Sequence, residues 1–246
     1  MTNPVPPEPT PPGRSSTSLV VALVLAVLLV AAIVAIFLVG GDDDAADTVP
    51  TAPTETGPVD EGPLDDPVPP EFAGEVRPVE IDGDPLPSFS PEGADPALGM
   101  RPPLLVAEDV AGSVYTISPD IDGPVMVVFL AHWCPVCNEE IPQLAELQRD
   151  GRLPDDLQVF GVLTGIAPDR PNFPPSQWVV DRGWPWPAVA DGIDFDQDPP
   201  MWAAADAFGL SAYPYVVLSD DGVVVDRWSG GLGADGIESR IAAALG

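Results

Sequence analysis

The sequence predicts an α/β fold in which helices flank a central mixed sheet. An apolar strand at residues 125–130, an amphipathic helix at 135–149 and a second strand at 158–163 follow one another. This order implies a parallel strand pair joined by a right-handed crossover. Closer to the C-terminus, two apolar segments flank a turn at residues 219–222, a pattern typical of an antiparallel hairpin. Parallel and antiparallel pairs in one domain require a mixed sheet.

The N-terminal region predicts a membrane anchor. Residues 1–18 are rich in proline and are expected to form a short disordered tail in the cytoplasm. Residues 19–39 are apolar without interruption and would span ~31 Å as a helix, which matches the hydrocarbon core of a bilayer. Arg14 precedes this stretch and no arginine follows it until Arg77. We therefore expect a single-pass protein of the cell membrane, with its N-terminus cytoplasmic and the remainder extracytoplasmic.

Two further regions follow the predicted transmembrane helix. Residues 40–77 are dominated by proline, threonine and acidic residues, and they lack the apolar side chains that a core needs. We expect a disordered tether there. From about residue 78 the composition becomes that of a globular domain, so residues 78–246 are predicted to form the folded part, including an N-terminal extension ahead of the central strand.

The remaining elements are predicted from shorter patterns. Ala111 and Gly112 suit the turn of an N-terminal hairpin, and Asp198 followed by two prolines suits a capped helix start. The expected strands are 79–86, 104–106, 114–117, 215–218 and 223–228, and the expected helices are 176–181, 201–208 and 234–245.

Charge excludes one class of partner. The formal net charge is −30, from 39 acidic residues against nine basic ones, and all nine basic residues are arginine. Such a surface repels the phosphate backbone, so we expect no binding to nucleic acid.

The only two cysteines lie in the motif Trp133-Cys134-Pro135-Val136-Cys137, between the apolar strand and the amphipathic helix. A thiol at a helix N-terminus ionises more readily, and the thiolate is the nucleophile. Cys137, one helical turn later, can attack a mixed disulfide formed at Cys134. A structural zinc site would need four ligands, and the chain has no third cysteine and one histidine. The spacing therefore predicts thiol–disulfide exchange, with no bound cofactor and no metal.

The run Phe-Leu-Ala-His-Trp-Cys-Pro-Val-Cys-Asn-Glu-Glu-Ile-Pro at residues 129–142 resembles the thioredoxin-fold oxidoreductases of the TlpA/ResA type. The resemblance extends over the chain from about residue 102, through Tyr213-Pro214, Asp220-Asp221-Gly222 and Gly230. It implies a thioredoxin-like fold and an extracytoplasmic, often membrane-anchored enzyme, of a family in which many members serve cytochrome c maturation. The implied partners are thiols and disulfides of exported proteins and an electron-transfer protein in the membrane.

The resemblance also implies roles for residues outside the cysteine pair. Glu140 shares a helix face with Cys137, and spacing alone favours a solvated carboxylate, whereas the matching glutamate of the family tunes the cysteines. A half-buried carboxyl there could move the proton of Cys137. The Tyr213-Pro214 bond would be trans by frequency alone, but it matches a cis-proline loop that pairs with the substrate backbone. Trp133 and Tyr213 are accordingly expected to bind substrate.

Two further positions near the motif bear on its chemistry. His132 could stabilise the thiolate when protonated, but we favour a position on the rim of the site. Many thioredoxins carry a buried aspartate where this chain has Val128, so Glu140 is the one nearby candidate for handling protons.

Four functions remain open from the sequence. The leading hypothesis is a membrane-tethered reductant, because Val136 places no charge between the cysteines and the acidic domain disfavours a thiolate. An oxidant that forms disulfides in exported proteins is the alternative within the same chemistry, beside a peroxidase. A copper-binding or chaperone-like module is the alternative outside enzymology, although copper would favour more histidine or methionine ligands.

Overall fold

A computed structural model describes residue 72 and residues 74–246. The predicted tail, the predicted transmembrane helix at 19–39 and most of the predicted tether lie outside the described residues. No helix in the part of the chain that is described combines the length and the apolar character that crossing a bilayer requires.

The described chain contains ten strands and four helices. The strands are β1 (Val79–Asp82), β2 (Leu104–Glu108), β3 (Val114–Ile117), β4 (Val125–Leu130), β5 (Gln158–Leu163), β6 (Ala188–Ala190), β7 (Ile193–Asp194), β8 (Met201–Trp202), β9 (Tyr215–Asp220) and β10 (Val223–Ser229). The helices are α1 (Pro135–Arg149), α2 (Pro175–Asp181), α3 (Ala203–Ala207) and α4 (Ala234–Leu245).

The central sheet confirms the predicted mixed, thioredoxin-like α/β architecture. Its strand order is β10-β9-β4-β5-β6, with β4, β5 and β6 parallel and β9 antiparallel to both β4 and β10. Every residue of β4 is buried, because both faces of the sheet are covered. Alternate side chains enter different clusters: Val128 lies with the two cysteines and α1, whereas Phe129 lies with the N-terminal extension.

The N-terminal extension forms a second, three-stranded antiparallel sheet in the order β1-β2-β3. The predicted hairpin between β2 and β3 is confirmed, and the strand expected at residues 79–86 ends earlier, at Asp82. Leu105 and Ile117 of this sheet pack against Phe208 and the face of β4 that points away from the cysteines. The extension thereby closes one side of the core.

The helix predicted at residues 201–208 is shorter than expected. Met201 and Trp202 pair with β7, and the helix begins only at Ala203. Its cap is not Asp198 but Asp191, whose carboxylate accepts the backbone N–H of Ala204 at 2.8 Å and that of Ala205 at 3.2 Å. A fully buried carboxylate from another segment therefore satisfies the orphan donors that a local cap would have satisfied.

The folded chain begins before the predicted boundary at residue 78. Glu75 and Val76, which the sequence places in the tether, are buried. The Glu75 carboxylate accepts the backbone N–H of Ser176 at 2.9 Å and the Ser176 hydroxyl at 2.7 Å. The last residues before β1 thus cap α2, a contact that composition alone does not reveal.

One buried cation ties the extension to the central sheet. Arg227 on β10 has no exposed side-chain surface and pairs with Asp95, to which its Nε donates at 2.8 Å. Its Nη1 donates to the carbonyl of Pro87 at 2.8 Å and to the Tyr215 hydroxyl at 3.1 Å. Arg227 therefore uses its donor fork in three directions, and among the described residues Asp95 is the one carboxylate that forms an ion pair with it.

The first prediction concerns this pair. Asp95→Asn should lower the free energy of unfolding by about 3 kcal/mol, because it leaves the Arg227 guanidinium buried without a counter-charge. Denaturant unfolding measures the change. Asp120→Asn is the matched control: Asp120 pairs with Arg101 on the exposed surface, so its loss should cost less than ~1 kcal/mol. Equal losses in the two variants would contradict the assignment.

Candidate active site

The cysteine pair lies where β4 ends and α1 begins. Cys134 is the N-cap of the helix, Pro135 opens its first turn, and the backbone N–H of Cys137 points at the Cys134 Sγ at 3.4 Å. Proline fits there because the first helical N–H has no partner within the helix. The sequence prediction of a thiol at a helix N-terminus is confirmed, and both cysteines are free thiols in this structure.

The two thiols differ in access. Cys137 is fully buried, whereas Cys134 keeps 5% of its surface exposed. Burial raises the pKa of Cys137, and the proximity of Cys134 and Glu140 adds to this rise. Cys134 is therefore the sulfur that a substrate can reach, and Cys137 needs a base before it can attack.

Glu140 is buried beside Cys137, with 2% of its surface exposed, so the solvated carboxylate that spacing alone favoured is wrong. Its Oε2 accepts the N–H of Leu232 at 3.3 Å, and its Oε1 has no hydrogen-bond partner among the described residues. Burial raises the pKa of Glu140 to about 7, against the lowering effect of the Leu232 N–H. A carboxyl with that pKa can both take and return a proton near neutral pH.

The loop after β10 is what covers Glu140. Gly231 stands over the start of α1, where a Cβ would lie 2.7 Å from Val136 Cγ1 and 3.3 Å from Glu140 Oε2. A side chain at this position would collide with Val136, one of the two residues between the cysteines, so the close approach depends on glycine. The loop therefore excludes solvent from Glu140 and holds the N–H of Leu232 against it.

The predicted substrate-binding residues lie together beside Cys134. The Tyr213-Pro214 bond is cis, as the resemblance implied. The Trp133 and Tyr213 rings meet edge to face with their centroids 5.5 Å apart, and Trp133 Nε1 donates to the carbonyl of Gly165 at 2.7 Å. Both rings are half-buried, which leaves part of each available to a substrate. Their role in binding stays a prediction.

His132 does not lie on the rim, and the prediction that it does is wrong. It is 1% exposed, its Nδ1 donates to the carbonyl of Pro171 at 2.7 Å, and its Nε2 accepts the N–H of Ala167 at 3.1 Å. Burial lowers the pKa of His132, which favours the neutral ring that this bonding pattern requires. Its function is to hold the segment between residues 167 and 171, not to charge the site.

Asn138 belongs to the site, although the sequence analysis did not single it out. Its Nδ2 donates to the carbonyl of Cys134 at 2.8 Å, and its Oδ1 accepts Trp178 Nε1 at 2.9 Å. The side chain thus links α2 to the N-cap residue. Its position four residues after Cys134 was a weak signal, but nothing in the sequence pairs it with Trp178.

This arrangement supports a complete thiol–disulfide exchange. The Cys134 thiolate attacks one sulfur of a disulfide, and the other sulfur leaves and takes a proton. Cys137, once deprotonated, attacks the Cys134 Sγ and releases the second sulfur, so two electrons leave the protein and a Cys134–Cys137 disulfide remains. No group of three or more histidine, cysteine, aspartate or glutamate side chains that could hold a metal ion occurs among residues 72 and 74–246.

The second prediction assigns the base. Glu140→Gln should slow resolution by Cys137 about tenfold or more above pH 7, because the carboxylate that takes the thiol proton is gone. In the unchanged protein the rate should rise as pH increases through about 7, where Glu140 ionises, and the variant should lack this rise. Stopped-flow decay of a mixed disulfide at Cys134 measures it.

Glu139→Gln is the matched control for this experiment. Glu139 is exposed on the same helix one residue earlier, so its loss removes the same charge without touching Cys137. A pH profile that is identical in all three proteins would show that Glu140 has no part in proton transfer.

Several solved structures are similar to part of the chain. Solved structures that resemble the chain include the thioredoxin domain of a Bacteroides vulgatus thiol-disulfide oxidoreductase, which is 18% identical with a TM-score of 0.47 over 61% of this chain and 99% of that one. A secreted Mycobacterium tuberculosis disulfide oxidoreductase homologous to E. coli DsbE is 18% identical, with a TM-score of 0.43 over 56% of this chain and 94% of that one. StoA from Bacillus subtilis is 19% identical, with a TM-score of 0.41 over 58% of this chain and 98% of that one. No curated protein matches.

The family is shown by the sequence itself. The Redoxin profile matches residues 81–245, which is most of the chain and includes β2 to α4 with both cysteines. Together with the paired thiols at the start of α1, this match defines the class of protein. The chain belongs to the Redoxin family and is a thiol–disulfide oxidoreductase.

Proposed function

We propose that the protein is a membrane-tethered, extracytoplasmic reductant of disulfides in exported proteins, of the cytochrome c maturation type. The observation that supports this direction of electron flow is that Cys137 is buried beside Glu140 and that no cation pairs with Glu140 among the described residues. No arginine forms an ion pair with Glu140 in the described part of the chain.

The electrostatics favour giving electrons rather than taking them. A strong oxidant owes its high potential to a reduced form that is stabilised as a thiolate. Here burial penalises a negative charge on Cys137, and the neighbouring Glu140 adds repulsion once it ionises. The reduced form therefore gains no stabilisation from an ionised Cys137, and Val136 places no charge between the cysteines that would stabilise a thiolate at Cys134, which favours a low reduction potential.

A reductant must be reduced again after each turnover. Each exchange leaves a Cys134–Cys137 disulfide, so two electrons must return from a donor. For a domain outside the membrane, a membrane electron-transfer protein is the source that fits the proposal. The partner has to reach Cys134, since Cys137 has no exposed surface.

The proposed location depends on the N-terminal sequence. The apolar stretch at residues 19–39 matches the thickness of a bilayer, and Arg14 on its N-terminal side favours a cytoplasmic N-terminus. An acidic, proline-rich tether suits a domain that works at a distance from the bilayer, because it repels anionic headgroups and lacks a core.

The third prediction is the reduction potential. Equilibration of the full-length protein with glutathione buffers should give a potential near or below about −220 mV, in the range of reducing thioredoxin-fold proteins. A value near −120 mV, the range of strong oxidants, would overturn the proposed direction and favour the alternative that forms disulfides in exported proteins.

The fourth prediction is the topology. Protease added to intact cells or spheroplasts should digest the tether or the redox domain, because both are proposed to face outward. Immunoblotting with an antibody against the domain follows the digestion, with a cytoplasmic protein as the control for intact cells. A domain that resists digestion until the cells are lysed would place it on the cytoplasmic side.

A further inference from the structure

The loop of residues 165–174, here the rim loop, is fastened to the residues that immediately precede Cys134. Four hydrogen bonds join it to His132 and Trp133, and the backbone N–H of Trp178 in α2 donates to its Pro174 carbonyl at 3.1 Å, so its conformation is coupled to the motif and to α2. The four bonds are Trp133 Nε1 to the Gly165 carbonyl (2.7 Å), the Ala167 N–H to His132 Nε2 (3.1 Å), His132 Nδ1 to the Pro171 carbonyl (2.7 Å) and Asn172 Nδ2 to the His132 carbonyl (2.8 Å).

The rim loop places a cation at the entrance to the site. The Arg170 guanidinium lies over the Trp133 ring, 5.6 Å from its centroid, and Arg170 is exposed. It forms no ion pair with a carboxylate among the described residues, and this includes the neighbouring Asp169. A guanidinium that stacks on a ring keeps its edge N–H donors directed outward, where a ligand can accept them.

A second unpaired arginine borders the same loop. Arg182 lines a cavity of about 360 Å³ together with Asn172, Phe173 and Pro174 of the rim loop. Its guanidinium makes one hydrogen bond within the described residues, a long one from Nη1 to the carbonyl of Asn138 at 3.4 Å. The carboxylate of Asp181 also lines the cavity, but it accepts a hydrogen bond from Gln177 at 2.7 Å. The cavity therefore retains donors that nothing in the described chain satisfies fully.

Arg170 and Arg182 differ from most of the described arginines because they form no ion pair within the described residues. With a net charge of −30, most of the described arginines are held by carboxylates: Arg77, Arg101, Arg152, Arg227 and Arg240 all form ion pairs. Arg149, Arg170 and Arg182 form none within the described residues; Arg170 lies in the rim loop and Arg182 borders it. Distant acidic groups are screened beyond about 8 Å in physiological salt, so at contact distance these arginines dominate.

We propose that Arg170 and Arg182 determine specificity by selecting disulfides that are flanked by aspartate or glutamate. A guanidinium binds a carboxylate through two parallel hydrogen bonds. Arg170 belongs to the loop that is fastened beside Cys134, and Arg182 borders that loop. The acidic surface elsewhere repels such a segment, so the rim loop is where it can dock. This inference names the substrate class of the proposed reductase and rests on that function.

The test uses two cyclic disulfide peptides that differ only in the residues flanking the cysteines, aspartate in one and the isosteric asparagine in the other. With the full-length protein in detergent, kcat/KM should be roughly tenfold higher for the aspartate peptide at low salt. The ratio should approach one in 1 M salt, where screening acts within about 3 Å.

Variants separate charge recognition from packing on Trp133. Arg170→Gln should bring the ratio toward one, Arg182→Gln should lower it, and Arg170→Lys should keep part of it, because lysine keeps the charge without the planar fork. Arg149→Gln is the matched control: Arg149 also lacks an ion pair among the described residues, but it lies in the last turn of α1, and its loss should leave the ratio unchanged. If Arg170→Gln slows both peptides equally, Arg170 only supports Trp133 and the inference is overturned.

The direction of electron flow does not affect this test. The same peptides in their dithiol form can be mixed with the oxidised protein. The rates at which the protein oxidises them then report the same preference. A preference for aspartate in oxidation alone would overturn the proposed reducing role and support the inference. Equal rates for the two peptides in both directions would overturn the inference and leave the reducing role standing.

Discussion

The whole site depends on the pairing of β4 with a parallel strand on one side and an antiparallel strand on the other. Phe129 pairs with Val162 of β5 and with Tyr215 of β9, so the end of β4, the end of β5 and the start of β9 meet at one edge of the sheet. Cys134 follows the first, the rim loop follows the second, and Pro214 precedes the third. Three segments far apart in the chain therefore surround one sulfur because of strand direction alone.

Burial without a counter-charge is the second organising constraint. Val128 and the apolar residues around it leave Cys137 and Glu140 with few polar neighbours, and the Leu232 N–H is the one donor to the Glu140 carboxylate in the described part of the chain. A buried carboxyl in such a place shifts toward its neutral form, and a buried thiol stays protonated. The protein thus keeps a proton close to the resolving cysteine, and it does so through packing.

The sequence predicted the features that arise from local pattern. The strand Val125–Leu130, the helix Pro135–Arg149 and the hairpin of β9 and β10 have strong periodicity or a turn of defined chemistry, and their structures match. The cis bond before Pro214 and the proximity of Glu140 to Cys137 followed from the resemblance and from helical spacing. Each of these features is decided within a few residues of chain or by a family motif.

The contacts that the sequence did not reveal join segments that are far apart in the chain. Asp191 caps α3 from 13 residues away, Asn138 meets Trp178 at a separation of 40, and the ring of His132 is bound by a loop 35 to 39 residues later. Short strands such as β7 and β8 carry too few residues for a periodicity and form only because each supplies the other's partner. Tertiary context decides all of these, and no single segment contains it.

The cap that Glu75 provides also defines how the protein can be divided. A chain cut at Pro78, the boundary that composition suggests, would retain every strand of both larger sheets but would leave the Ser176 N–H and hydroxyl without their acceptor. Because Trp178 of that helix holds Asn138, and Asn138 holds the carbonyl of Cys134, the loss would fall on the redox motif. The smallest unit that keeps the active site intact therefore includes the last few residues of the predicted tether.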